Sequence, residues 1–283
     1  MERNHQLHLP SPFLSSVVDD CLRNGTDVTC GGAKYNMSGI QAIQVANIAD
    51  SLAVLKTLVF DEMVIEKKTF LHALQNNFEG NEPLRQVCIN HIQKYGNDIA
   101  WVDEIGTKWV SYFSERLKNY KNLRGGPYHM GLYTVSAHVP MGQNVGSTPD
   151  GRLARTPLAD GGLSPMYGRD KQGPTAVLNS VLRIPSRLAS NGTLLNMKFL
   201  PSLFINERDR GKFTSLLKTF ISLPIHHIQF NVVTNEELIK AKTDPESYRG
   251  LTIRVAGYTA YFTELAGDLQ DEIIKRTTHG EAT

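Results

Sequence analysis

Residues 140–175 are rich in Gly and Pro and contain few long apolar runs. A segment of this length without helical or strand periodicity is uncommon in a compact domain unless it carries function. The pattern already changes after Lys121, where Arg124-Gly125-Gly126-Pro127 breaks the preceding helical spacing. Helical spacing dominates before this break and strand-like runs follow it. The chain is therefore predicted to be a mixed α/β protein, with helices segregated early and strands interleaved late.

Apolar spacing and turn signals locate the individual elements. Helices are predicted at about 41–60, 69–78, 83–95, 100–120, 209–222, 235–242 and 259–276. Strands are predicted at 132–139, 193–200, 226–233 and 250–255. Thr234, with Glu237 three residues later, forms a capping box that predicts the start of the helix at 235–242. Residues 1–40 contain several Gly and Pro breakers and look irregular.

Charge and apolar content exclude several classes of protein. The 283 residues include 30 Lys+Arg and 28 Asp+Glu, a net charge of +2, so no electrostatic footprint for nucleic acid is present. No apolar run is long enough to cross a bilayer, and the first residues have no apolar signal core. Three cysteines do not make a disulfide framework. We therefore expect a cytoplasmic protein with neither nucleic acid nor membrane as a partner.

Generic catalytic and metal-binding patterns are weak. His226 and His227 are adjacent, and neighbouring strand residues point to opposite faces, so a shared metal ion is not expected. Cys30 lies in a flexible loop with only Lys34 nearby to lower the pKa of its thiol. Cys21 and Cys88 lie on predicted helix faces and are interpreted as structural residues. No phosphate-binding or dinucleotide-binding loop is present.

One segment near the carboxyl end points to a specific chemistry. Residues Arg254, Val255, Ala256, Gly257 and Tyr258 lie where a predicted strand leads into the last predicted helix. By itself, Gly257 would be interpreted as a backbone position that needs a positive φ or a close approach.

This segment resembles the glycyl radical signature of the pyruvate formate-lyase superfamily. Further stretches resemble family motifs in the same order along almost the whole chain. They are GAKYNMSG at 32–39, DSL at 50–52, KYGND at 94–98, VGSTPDGR at 145–152, LADGGLSP at 158–165, GPTAV at 173–177 and NGTLLN at 191–196. The resemblance is strongest to the branch that includes glycerol and diol dehydratases, whose members are often labelled formate acetyltransferase.

The resemblance implies a fold and a set of site residues. The family fold is a ten-stranded α/β barrel made of two antiparallel halves, with the cysteine and glycine loops meeting inside. This chain is expected to supply part of the second half-barrel, within residues 1–150, and the C-terminal glycyl radical domain, within residues 151–283. Gly257 is the expected radical residue, flanked by Arg254, Val255, Ala256 and Tyr258. Arg124 is a candidate for contacting a polar or anionic small-molecule substrate.

The resemblance also implies the chemistry. A radical S-adenosylmethionine activating enzyme, the expected partner, removes one hydrogen atom from Gly257. No cofactor is expected to remain bound. A Cα radical is stabilised by both flanking amides if the centre is planar, and a side chain would crowd that planar form. The stored radical passes to a cysteine thiol, whose thiyl form abstracts hydrogen from the substrate before a neighbouring leaving group departs.

The family's Gly-Cys-Val-Glu loop, which carries the catalytic cysteine, has no counterpart among these residues. None of the three cysteines lies in a matching context. The sequence therefore resembles the C-terminal part of a longer lyase that acts with an upstream part. A stand-alone glycyl radical carrier for a full-length partner enzyme and a non-functional remnant remain alternatives. A piece of this kind is expected to expose apolar surface that the first half-barrel covers.

Overall fold

A computed structural model describes residues 2–280. Its α-helices are α1 (Glu2–His8), α2 (Pro12–Val17), α3 (Cys21–Asn24), α4 (Val45–Val54), α5 (Lys67–Gln75), α6 (Glu82–Asn90), α7 (Ala100–Leu117), α8 (His138–Gln143), α9 (Gly173–Arg183), α10 (Glu207–Ser222), α11 (Asn235–Thr243) and α12 (Gly267–Lys275). Its strands are β1 (Ser38–Gln41), β2 (Tyr128–Gly131), β3 (Asn196–Phe199), β4 (Gln229–Val232), β5 (Thr252–Arg254), β6 (Thr259–Tyr261) and β7 (Thr278–His279). A π-helix, Leu55–Asp61, continues α4.

The longer strands form a parallel arrangement. β1 pairs with β2, and β3 pairs with both β4 and β7, all in parallel. A single parallel bridge between Leu132 and Thr193 joins the end of β2 to the approach to β3. These four strands therefore run in parallel in the order β1-β2-β3-β4, and helical crossovers connect them. β5 and β6 form a separate antiparallel hairpin.

The helices predicted from apolar spacing are present, with shifted ends. The segment predicted as a helix at 41–60 is α4 with its π-helical continuation, and 100–120 is α7. At the start of α11, the Thr234 hydroxyl accepts a hydrogen bond from the backbone N–H of Glu237 at 3.1 Å. That contact satisfies one of the free N–H groups of the first helical turn, as the sequence predicted.

The strand predicted at 132–139 is wrong. The strand β2 ends at Gly131, and the chain then turns, with Ala137 N donating to Thr134 O at 2.9 Å before α8 begins. Val135 has φ +54°, which a strand residue cannot adopt. A run of β-branched residues indicated a strand, but tertiary packing made it a turn and a helix.

Three further predictions need correction. The helix predicted at 259–276 starts only at Gly267, because residues 259–261 form β6. Residues 1–40, interpreted as irregular, contain three short helices and most of β1. The sequence analysis predicted no helix at α9, whose first residues lie at the end of the Gly- and Pro-rich segment 140–175. Pro174 is the second residue of this helix, where a backbone N–H would have no partner within the helix, so its missing N–H costs nothing.

Two groups of buried side chains hold these elements together. The larger core spans residues 42–225 and includes the contact between α4 and α7. Gly106 lets these helices approach, because a Cβ there would lie 3.0 Å from Val45 Cγ1. The smaller core lies among β5, α11 and α12 and includes Val255 and Ile273. Within residues 2–280, every helix is too short or too polar to span a bilayer.

Apolar side chains are exposed on the first three helices. The exposed apolar residues there are Leu7, Leu9, Phe13, Leu14, Val17 and Leu22. Phe13 keeps 85% of its surface accessible, although burial of such a side chain stabilises a fold by about 1.5–3 kcal/mol. This surface is of the kind expected where a further part of the protein covers the chain.

Candidate functional site

Gly257 lies in the tight turn between β5 and β6. The turn is closed by Val255 N, which donates to Tyr258 O at 2.9 Å. Gly257 has φ +86°, so a side chain here would cost about 1–2 kcal/mol of backbone strain. Space is less restrictive, because a Cβ would meet only Leu194 Cδ1 at 3.6 Å. The backbone conformation is therefore the reason that this position favours glycine.

The turn is anchored inside and open at its tip. Val255 and Ala256 are buried, Tyr258 is half-buried, and Gly257 is exposed. The side chain of Val255 packs in the smaller core, while its carbonyl accepts hydrogen bonds from Asn196 and Arg276. The glycine backbone is thus accessible to another polypeptide, on a hairpin whose base is fixed.

Two carboxamides from β4 hold the hairpin. Gln229 Oε1 accepts a hydrogen bond from Gly257 N at 3.0 Å. Asn231 bonds both backbone groups of Arg254, donating to its carbonyl at 2.8 Å and accepting from its N–H at 2.9 Å. Residues two apart in a strand share a face, so one face of β4 presents both side chains to the Gly257 turn.

The Val255 carbonyl is held from the other side. It accepts hydrogen bonds from Asn196 Nδ2 at 3.2 Å and from Arg276 Nη1 at 3.0 Å. Arg276, just after α12, is buried and also bonds Glu272 Oε2 through Nη2 at 2.8 Å. The guanidinium of Arg276 and the carboxamide of Asn196 therefore both hold the carbonyl of Val255, which lies two residues before Gly257 in the chain.

Arg276 belongs to a buried group of ionisable side chains. His138 Nε2 lies 3.0 Å from Glu272 Oε2, and Asp160 Oδ2 lies 3.6 Å from Arg276 Nε. Burial acts to raise the pKa of Glu272, but the Arg276 guanidinium and His138 lower it to about 2. The pKa of Arg276 is raised by Asp160 and Glu272, which outweigh the effect of burial. Arg276 and Glu272 are therefore an ionised buried pair.

Asp170 lines the same small cavity as Asp160 and Arg276, but its pKa is raised. Burial raises the pKa of Asp170 to about 7, although Thr277 Oγ1 donates to it. His279 Nε2 lies 3.6 Å away, but burial and Lys198 lower the pKa of His279 to about 4. Between about pH 4 and pH 7 both side chains are neutral, so the contact between Asp170 and His279 is not an ion pair in this range.

The substitution Asp170→Asn is expected to stabilise the chain as pH rises. Between about pH 4 and pH 7 Asp170 is ionised in the unfolded chain and protonated in the folded chain, so its contribution to wild-type stability falls as pH rises. The gain in the free energy of unfolding should grow from near zero to the order of 4 kcal/mol above pH 7. Urea unfolding across this pH range measures it.

A suitable control is Asp209→Asn, because Lys212 and Asn206 lower the pKa of Asp209. This variant should gain no stability as pH rises. A gain that is equal in both variants, or a pH-independent gain in Asp170→Asn, would contradict the protonated state of Asp170.

Two family models match the chain. The pyruvate formate lyase-like model matches residues 1–142, and the glycine radical model matches residues 159–263, including the Gly257 turn. The chain belongs to the glycyl radical enzyme family. The match to the glycine radical model supports an organic radical on a glycine residue of this chain.

Several relatives of this glycyl radical enzyme chain are dehydratases, and others are named as a sulfite-lyase or a decarboxylase. The probable dehydratase YbiW of Escherichia coli is 44% identical over 94% of this chain and 34% of its own length. Trans-4-hydroxy-L-proline dehydratase of Clostridioides difficile is 38% identical over 95% of this chain and 34% of its length. The glycerol-bound B12-independent glycerol dehydratase of Clostridium butyricum matches with a TM-score of 0.93 and 41% identity, over 98% of this chain and 35% of that one.

The chain therefore spans about a third of the length of these relatives, and it corresponds to the C-terminal part of such an enzyme. Its fold is the matching part of the glycyl radical enzyme barrel, as the resemblance implied.

The structure places the predicted glycyl radical residues in one turn. Arg254, Val255, Ala256, Gly257 and Tyr258 form the end of β5 and the turn that follows. The expectation that this segment leads directly into a helix is wrong, because the hairpin strand β6 comes first. Pairing between β5 and β6 satisfies the backbone on both sides of the turn.

Arg124 lies in a different part of the structure. Its Nη2 donates to Met37 O and to Ser38 Oγ, both at 3.0 Å, beside β1. Its Nε is buried without a hydrogen-bond partner among the described residues. The substrate role of Arg124 stays a prediction.

The histidines singled out earlier do not form a metal site, and His227 lies close enough to Arg254 that, after burial, this cation lowers the pKa of its imidazole. Cys21 and Cys88 are buried, as predicted, and Cys30 is exposed. Across residues 2–280, no group of three or more His, Cys, Asp or Glu side chains is placed to hold a metal ion.

Sequence reasoning assigned no role to the side chains that hold the turn, although Asp160 and Asn196 lie in the motifs at 158–165 and 191–196. The side chains that hold the turn are Asp160, Asn196, Gln229, Asn231 and Arg276. A signal for two of them was present in β4, where Gln229 and Asn231 alternate with Ile228 and Phe230. Carboxamides at alternate positions of a buried strand require partners, which indicates a polar contact on that face.

Proposed function

We propose that Gly257 stores the radical of a glycyl radical dehydratase and delivers it to a cysteine thiol carried by the rest of the enzyme. The observation that carries the proposal is the Gly257 turn itself. It combines a positive φ, an exposed backbone and an anchored base within the residues that match the glycine radical model. Glycine lacks the side chain that would crowd a planar radical centre.

In the proposed reaction, the thiyl radical takes one hydrogen atom from a carbon of the substrate and becomes a thiol. For a polyol, the substrate radical then loses the hydroxyl group of the neighbouring carbon as water. A general acid protonates the departing oxygen, and the hydroxyl group on the radical carbon gives up its proton to a base, which leaves a neutral radical next to a carbonyl. The resulting product radical takes the hydrogen atom back from the thiol. These steps require that water and oxygen are excluded from the site, and the assembled barrel would provide this exclusion.

The names of the relatives favour a small hydroxylated molecule as substrate, such as a polyol or a hydroxylated amino acid. Cleavage of a C–S or C–C bond is the alternative chemistry. The proposed partner for activation is a radical S-adenosylmethionine enzyme, which would remove the hydrogen atom from Gly257. The division near residue 150 and the contact between Arg124 and substrate belong to the same proposal.

A second candidate is a stand-alone radical carrier that docks on a full-length enzyme. The exposed backbone of Gly257 favours it, because a docking partner could reach the turn. Mixing experiments distinguish the two. Turnover on addition of a polypeptide with only the upstream barrel supports the divided enzyme, whereas rescue of an oxygen-damaged full-length relative supports the carrier.

Anaerobic incubation with an activating enzyme, S-adenosylmethionine and a reductant is expected to give a doublet in the electron paramagnetic resonance spectrum. The doublet arises because one hydrogen remains on the radical carbon. The substitution Gly257→Ala should abolish the doublet, because a side chain crowds the planar radical centre. It also strains the turn by about 1–2 kcal/mol at φ +86°. Circular dichroism must show that the variant is folded.

The matched control is Gly250→Ala, just before β5, where a Cβ meets no atom within 4 Å. This variant should keep the doublet. A diamagnetic wild-type chain, with an activating enzyme that is competent on a relative and with the upstream barrel added, would overturn the proposal.

A further inference from the structure

A chain of hydrogen bonds runs from the Gly257 backbone into the protein. Gly257 N donates to Gln229 Oε1 at 3.0 Å, and Gln229 Nε2 donates to Asn196 Oδ1. Asn196 Nδ2 in turn donates to Asp160 Oδ2 at 2.5 Å. Every donor in the chain points away from the glycine and towards the carboxylate. We call Gln229, Asn196 and Asp160 the amide relay.

The amide relay is buried and rigidly built. Its three residues keep less than a tenth of their surface accessible. Asn196 and Gln229 are paired across the β3–β4 ladder, so the sheet places their side chains next to each other. Arg276 lies 3.6 Å from Asp160 and balances the carboxylate charge at the inner end. Hydrogen bonds in such a low-dielectric setting polarise one another.

We propose that the amide relay positions the Gly257 amide and stabilises the radical at its Cα, with Gln229 as the positioning residue. This inference rests on the proposed radical role of Gly257. A radical at Cα is stabilised when the lone pair of the adjacent nitrogen delocalises onto it and the centre is planar. An acceptor on the N–H increases electron donation by that nitrogen and fixes the plane of the peptide between Ala256 and Gly257.

The relay also explains why Gly257 needs a side-chain acceptor. The turn is closed by Val255 N and Tyr258 O, so the hydrogen bonds of the hairpin ladder leave the Gly257 N–H without a backbone acceptor. Gln229 Oε1 is the acceptor that the described residues supply. Without it, the peptide beside the radical carbon would be free to rotate at the exposed tip.

The first test needs no radical. In the unmodified chain, the Gly257 amide should exchange with deuterium about fivefold or more slowly than an unprotected amide, despite its exposure. The substitution Gln229→Met, which removes the acceptor at similar size, should remove this protection. The control Gln270→Met removes another buried carboxamide, which bonds Phe262 O, and should leave Gly257 protected.

Fast exchange of Gly257 in the unmodified chain, or unchanged protection in a folded Gln229→Met variant, would overturn the relay. The unmodified chain decides the question even if Gln229→Met fails to fold.

The second test measures the radical. With ¹⁵N-labelled glycine, Gln229→Met should show a smaller nitrogen hyperfine coupling and a larger α-proton coupling than the unmodified chain. Gln229→Glu keeps an acceptor oxygen and should restore both couplings. Spectra that superimpose in all three chains would refute the effect on the radical. Absence of any doublet in the unmodified chain would instead count against the role of Gly257, while the exchange result still decides the relay.

Discussion

Replacing Arg276 by Met is expected to lower the free energy of unfolding by about 3–5 kcal/mol, because it removes one partner of a buried ion pair. Glu272 would keep a buried charge without its guanidinium partner, with His138 Nε2 at 3.0 Å. The Val255 carbonyl would lose the hydrogen bond that Arg276 donates at 3.0 Å. The loss should appear as a lower urea midpoint with an unchanged dependence on denaturant concentration.

The control for Arg276→Met is Arg249→Met. Arg249 also pairs with a glutamate, Glu246, at 2.6 Å, but the two side chains are 73% and 75% exposed. Exposed pairs contribute little because water screens them, so this variant should unfold like the wild type. Equal midpoints for Arg276→Met and Arg249→Met would mean that the buried pair does not secure the hairpin.

Local patterns in the sequence predicted the helices well. The spacing at 41–60 and 100–120 describes helices that bury one face, and burial of that face is what stabilises them. Thr234 marked the start of α11 because a capping hydroxyl acts on residues close to it in sequence. The resemblance around Gly257 located the glycine turn because its residues are contiguous.

The surroundings of Gly257 could not be predicted in the same way. Asp160, Asn196, Gln229 and Arg276 come from four separate segments, and only the packed sheet and α12 bring them to the hairpin. The turn at Val135 was missed for a related reason. Its positive φ is imposed by the change of direction between β2 and α8, and local propensity disfavours it.

Exposure of the activated chain to air is expected to abolish the doublet and cut the backbone at Gly257. Dioxygen adds to the unpaired electron on Cα, and breakdown of that product breaks the chain at the same residue. Gly257 is exposed at the tip of the hairpin, which gives dioxygen direct access to its Cα. Mass spectrometry should find one large fragment and a short peptide from residues 258–283.

Three samples separate this cleavage from ordinary proteolysis. The chain that has not been activated and the Gly257→Ala variant should both stay intact in air, while activated Gly250→Ala should be cut. The fraction of chains cut should equal the fraction that carried the radical before exposure, because one radical breaks one backbone. Activated chains that lose the doublet in air yet remain full length would place the unpaired electron on a residue other than Gly257.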